Sequence, residues 1–138
     1  ALRKNSPLSF FKNFNLEVEG PYKNKFDIKT RALLPLVDGA RLFALYFEVR
    51  GINNTYQRFK QFAITDPKHA EVYLNCAEAF LVLSKFRTLE GLKNDNSGEF
   101  INLEELSKID REKLKNALAP MRELEELIKS KFQLTHFS

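Results

Sequence analysis

Five charged side chains stand on segments that otherwise read as apolar: Asp27, Lys29, Arg41, Glu78 and Arg87. Asp27 and Lys29 open the run FDIKTRALLPLVDGAR, and Arg41 closes it, three residues after Asp38. A charge on a buried or half-buried face must find an opposite charge or snorkel to water, because desolvation without a partner is costly. Two kinds of chemistry are open to such a set. It can form an ion network that holds helices in register, or a pocket whose arginines grip an anionic group through bidentate hydrogen bonds. Asp38, Arg41 and Glu48 make the only polar stripe on their helix, as an intrahelical ion pair or as charges meeting neighbouring helices. We expect the charges of this segment to face a polar seam rather than bulk water. Arg87 falls where a core residue is due, seven residues after Phe80, so it either snorkels or joins a polar cluster.

The other reactive residue types give little. His69 and His136 lie far apart, and neither belongs to an H-E-x-x-H pattern. Cys76 has no partner cysteine and reads as a small buried hydrophobe in a reducing, cytoplasmic setting. No metal site is expected. The five glycines are isolated, so there is no P-loop, no G-x-G-x-x-G and no G-x-S-x-G elbow. The spacing of Asp27, Asp38, Glu48 and Glu78 marks no acid/base pair, and no residue is assigned a catalytic role.

Helices must position these side chains. Thirteen Phe and no Trp, with few Gly, favour helices packed through aromatic layers over a turn-rich β fold. Ser6-Pro7 can start a short helix through Leu8, Phe10, Phe11 and Phe14, which Gly20-Pro21 ends. Asp27 can cap the helical segment after it. A central helix is expected over 34–50, apolar nearly all round, with Pro35 near its start and Gly51 as its left-handed cap. Asn54 or Thr55 caps a second helix to about Ile64, and Asp66-Pro67 starts a third, to about Leu92. The third helix should bury Ala70, Tyr73, Leu74, Ala77, Phe80, Leu81 and Ser84. A polar loop over 93–102 leads to a turn capped by Asn102. Ser107 and Asp110 then resemble a capping box for a last helix over 108–132, which Pro120 should kink near Asn116. The fold class is all-α: an up-and-down bundle of about five helices in one domain, with a helical core over 34–132.

Charge limits the partners. Residues 1–31 hold seven Lys or Arg against three acids, and residues 32–138 hold fifteen of each sign, so the net +4 is local to the first segment. The long helices alternate signs, as solvated faces do, which argues against nucleic acid. No apolar run is long enough to span a bilayer, and no secretory pattern precedes the helices. A basic, irregular start without methionine suggests a domain excised from a longer protein.

The order SPLSFF, DIK, ALLPLVDGAR-FAL, GINNTYQRF, EAF-L-L-KFR and INLEELSKIDREKLKNAL resembles the nucleotidyltransferase substrate-binding domain, from about Leu8 to Leu127. That family stands at the C-terminus of bacterial signal-transduction proteins. Their earlier parts carry CBS or cyclic-nucleotide-binding modules and a nucleotidyltransferase domain akin to that of PII uridylyltransferases. The resemblance places family positions on Asp27, Lys29, Arg41, Thr55, Arg58 and Arg87, and the Glu of EAF on Glu78. It departs after Arg87, where TLEG stands in place of a basic-Gln pair. It implies a domain that holds the acceptor substrate beside a transferase domain of the same chain and does not catalyse by itself. Magnesium and a nucleoside triphosphate are then expected only for the transferase domain, and no cofactor here. The competing expectation is a helical interaction module, dimerising or relaying regulatory signals through the Phe-rich SPLSFFKNF stretch.

Overall fold

The computed structural model describes residues 24–132. The expected helix over Leu8–Phe14, the SPLSFFKNF stretch and His136 lie outside them. Four α-helices account for most of the described chain: α1 (Leu34–Tyr46), α2 (Thr55–Thr65), α3 (Ala70–Asn94) and α4 (Lys108–Phe132). The fold is the expected all-α bundle, with four helices described against about five expected. One small feature is new. Strands β1 (Phe26–Asp27) and β2 (Phe100–Ile101) pair antiparallel, Phe26 opposite Ile101, and the Ile28 amide donates to the Glu99 carbonyl at 2.9 Å. Two residues per strand carry too little periodicity to be legible in the sequence.

Local chemistry sets the helix ends. Asp27 Oδ1 accepts from the Thr30 amide at 3.0 Å, and one π-helical turn, Lys29–Leu33, leads into α1 with Pro35 in its first turn. Asn54 caps α2 by accepting from the Gln57 amide at 3.0 Å. Asn102 and Ser107 accept from the amides of Glu104 and Asp110, both at 3.1 Å.

α1 ends four residues before the expected Arg50. Glu48 adopts the left-handed conformation at φ 56°, with the Val49 amide donating to the Ala44 carbonyl at 2.9 Å and the Glu48 amide to Leu45 at 3.3 Å. These are the two bonds of a Schellman turn, so the chain reverses at a glutamate and Gly51 lies beyond the cap. Val49, the residue after the turn, packs against the core.

α3 runs antiparallel to α4, as contacts between residues 66 and 131, 76 and 120, and 93 and 105 require. Its buried side is Tyr73, Cys76, Ala77, Ala79 and Leu83, while the expected Leu74 and Leu81 are exposed. The helix is flanked by α2 and α4, so its apolar residues surround it and the period alone did not fix its core face. Cys76 is buried, its thiol aimed at the Pro120 carbonyl at 3.8 Å and pushed up by burial. α4 continues through Pro120 as a single helix.

Asp66 ties three helices together. The Tyr73 hydroxyl donates to its Oδ2 at 2.7 Å, Lys131 Nζ lies 3.1 Å from that oxygen and His69 Nδ1 3.0 Å. Asp66 was expected to cap the third helix; its side chain makes no capping bond there and serves this network instead. Burial pushes its carboxyl up, but donation from Tyr73, Lys131 and His69 outweighs that and holds it below its ordinary value. A depressed carboxyl adds stability that is complete above the unfolded value, near pH 4, and is lost as pH falls through the folded value. Asp66→Asn should therefore cost about 1–3 kcal/mol near neutrality. Urea midpoints should show the difference from wild type shrinking as pH falls below about 4.

Candidate functional site

The structure divides the residues singled out in the sequence among four places. Lys29 and Arg87 meet the loop that joins α3 to β2, and Asp27 lies in the strand paired with β2. Arg87 is half-buried, and its Nε donates to the Ser97 carbonyl at 3.0 Å. The Ser97 hydroxyl donates to Glu99 at 2.7 Å, and Lys29 Nζ reaches the same carboxylate at 3.7 Å. Donation from Ser97, with Lys29 and Arg87 nearby, holds the Glu99 carboxyl below its ordinary value. Asp27 stands opposite Phe100 in the strand pair above this loop. Here Arg87 neither merely snorkels nor faces a buried acid; it staples a loop carbonyl.

Glycine makes that staple possible. Gly98 has φ 70°, and a Cβ there would collide with the Arg87 carbonyl; a Cβ on Gly91 would lie 2.6 Å from the Asn96 carbonyl. The loop thus lies directly on the last turns of α3.

Thr55 and Arg58 belong to the start of α2. Thr55 is buried, and Arg58 Nε donates to the Ile52 carbonyl at 2.7 Å, closing the α1–α2 connection. Arg41 stands apart. It is exposed, as are Asp38 and Glu48, and makes no side-chain hydrogen bond or ion pair with the described residues. The expected polar seam along α1 is therefore a solvent-facing stripe. The buried faces of α1 are filled by its apolar residues, which leaves water as the only place for charge.

Glu78 leads to a different feature. It lines a groove of about 920 Å³ between α3 and α4, floored by Val82, Phe86, Leu106, Ala117 and Pro120. Its polar rim holds Glu78, Glu90, Glu105, Asp110 and Glu123 against Lys85, Lys93 and Lys113. Lys93 pairs with Glu105 at 3.1 Å and closes one end. A volume of this size with an apolar floor and a few convergent polar groups is the usual form of a small-molecule site. Among the described residues no group of three His, Cys, Asp or Glu side chains is placed to hold a metal ion, and no helix is long and apolar enough to cross a membrane.

The family described as "putative nucleotidyltransferase substrate binding domain" matches residues 1–132. The chain belongs to that family. Comparisons with curated proteins and with solved structures give no match. Within this substrate-binding-domain family member, the groove is the concave surface that the sequence reading missed, apart from Glu78. Its signal was present as Asn75, Glu78, Val82, Phe86, Leu89 and Lys93, spaced three or four apart on one face of α3. That face reads as an ordinary amphipathic surface until α4 is set beside it.

Two substitutions separate staple from surface. Gly98→Ala should lower stability by at least ~1–3 kcal/mol, since it adds both a collision and a left-handed backbone for alanine. Arg41→Ala should change it by less than ~0.5 kcal/mol, as an exposed side chain without partners does. Thermal melts of both variants check this.

Proposed function

We propose that this domain binds and positions the acceptor substrate of a nucleotidyltransferase domain in the same chain, and that the α3–α4 groove is where the acceptor sits. One observation carries the reading: a chain of this family has a groove of about 920 Å³, with an apolar floor and a polar rim, between its two longest helices. Both walls are rigid helices, which hold a ligand more precisely than loops do. The domain is not catalytic by itself in this reading. Catalysis, magnesium and the nucleoside triphosphate belong to the transferase domain. The wider setting is a bacterial signal-transduction protein, in which CBS or cyclic-nucleotide-binding modules would govern how the acceptor is presented.

The test uses the full-length parent protein with a labelled nucleoside triphosphate, magnesium and a small-molecule cell extract as acceptor source. Leu89→Arg, at an exposed position of the groove lining, places a long charged side chain across the groove. Label transfer should fall about tenfold or more while nucleotide binding and melting temperature stay unchanged, the pattern of a lost acceptor interaction. Equal transfer by both proteins would remove the groove from acceptor binding.

A further inference from the structure

The groove is negative although the chain is positive. Five carboxylates and three lysines line it, in a protein of net charge +4. The Lys93–Glu105 pair cancels itself, which leaves four carboxylates against two lysines.

One of those carboxylates is unusual. Glu90 is only 8% exposed, and its side chain is satisfied by an amide alone: Asn94 Nδ2 donates to Oε2 at 2.8 Å and also to the Glu90 carbonyl at 3.1 Å. No lysine or arginine among the described residues forms an ion pair with it. A carboxylate has room for about four donors, and burial without a cation is expensive. Pro120 adds a further acceptor. Proline has no N–H, so the carbonyl of Asn116, one turn earlier, loses its helical donor, and both residues line the groove.

Acceptors thus outnumber donors around an apolar floor. We infer that the α3–α4 groove takes an organic cation, a molecule carrying a protonated amine on an apolar or ring-shaped body, with the ammonium at Glu90 and the body over Val82, Phe86 and Leu106. An ammonium offers up to three donors and no acceptor, which matches what Glu90 lacks. A flat apolar body covers Phe86 without needing hydrogen bonds. Phosphates and carboxylates would meet like charge here. This inference names the acceptor class for the groove and rests on the acceptor-binding reading above.

The experiment is an amide NMR titration of the full chain at neutral pH with three compounds of one shape and different charge: tryptamine, tryptophol and indole-3-propionate. Tryptamine should shift amides on both α3 and α4 along the groove and bind about tenfold or more tighter than the other two, the size of one charge-assisted hydrogen bond. Glu90→Gln, which keeps the Asn94 contact, should reduce tryptamine to the affinity of tryptophol. Glu112→Gln, exposed on α4 and outside the groove lining, should leave it unchanged. The three-way comparison on the wild-type chain stands even where a variant folds poorly. Equal groove binding by all three compounds would overturn the cation inference and leave the acceptor site standing. Groove shifts with tryptamine that Glu90→Gln does not weaken would also overturn it. No groove shifts with any of the three would overturn the inference together with the groove's assignment.

Discussion

A phenol buried in a helical core must put its hydroxyl on an acceptor, and Tyr73 has one available, the carboxylate of Asp66. Much of the bundle depends on that bond. Tyr73 sits edge-on to Phe43, Phe47 and Phe62, with ring centroids 5.6, 6.2 and 5.7 Å away, so its position fixes where α1 and α2 lay their aromatic faces. Such edge-to-face pairs add to the area they bury. Lys131 reaches the same carboxylate from the end of α4 and lies over the rings of Tyr46 and Phe47, at 5.8 and 5.7 Å. One acid thereby sets the register of α4 against α3. Register is what opens the groove, because sliding α4 by one turn would move Ala117 and Pro120 away from Val82 and Phe86.

That dependence explains what the sequence could and could not reveal. The caps at Asn54, Asn102 and Ser107 are local: a side chain bonds an amide two or three residues on, so the reading needs no tertiary knowledge. α4 is similar. Its one apolar side, Leu114, Leu118, Met121 and Leu124, faces a single neighbouring layer and keeps a clean period. α3 defeats the same logic because it has neighbours on two sides and buries small residues, Cys76, Ala77 and Ala79, alongside Tyr73 and Leu83. Small residues carry little hydropathy but permit close approach. The end of α1 failed for another reason. Glycine is the usual left-handed residue, and Glu48 takes that place because Val49 then turns back onto the core.

The candidate site was legible in part, and the pattern of the misses is physical. Lys29 and Arg87 both reach the loop after α3, while the Asp27 side chain accepts from the Thr30 amide. Arg87 gives a donor to a carbonyl, and Lys29 meets an acid that Ser97 already serves. Arg87 uses only its Nε in that contact, and among the described residues its charge is offset by the Glu99 carboxylate that Lys29 also faces. Arg41 differs in kind: spacing alone cannot distinguish a charge that faces a neighbouring helix from one that faces water, and α1 turns it to water. Thr55 and Arg58 hold the α1–α2 connection, a structural duty that any family position on a helix start can have.

The groove inverts the electrostatic expectation drawn from composition. Net charge describes the far field and governs encounter, whereas a site is ruled by the few groups within a screening length, ~8 Å at physiological salt. Here the excess positive charge belongs to residues 1–31, and the α3–α4 groove holds an excess of carboxylates. The rim lysines do not neutralise it evenly, since Lys93 is held by Glu105, whose hydrogen bond raises its pKa above the ordinary lysine value. Glu90 lines the same groove with most of its surface buried. A mostly buried carboxylate is a cost to folding unless something returns the lost solvation, and among the described residues the Asn94 amide donates to it. A bound cation would recover the rest of that cost when it arrives, which couples occupancy of the groove to the stability of α3 and α4.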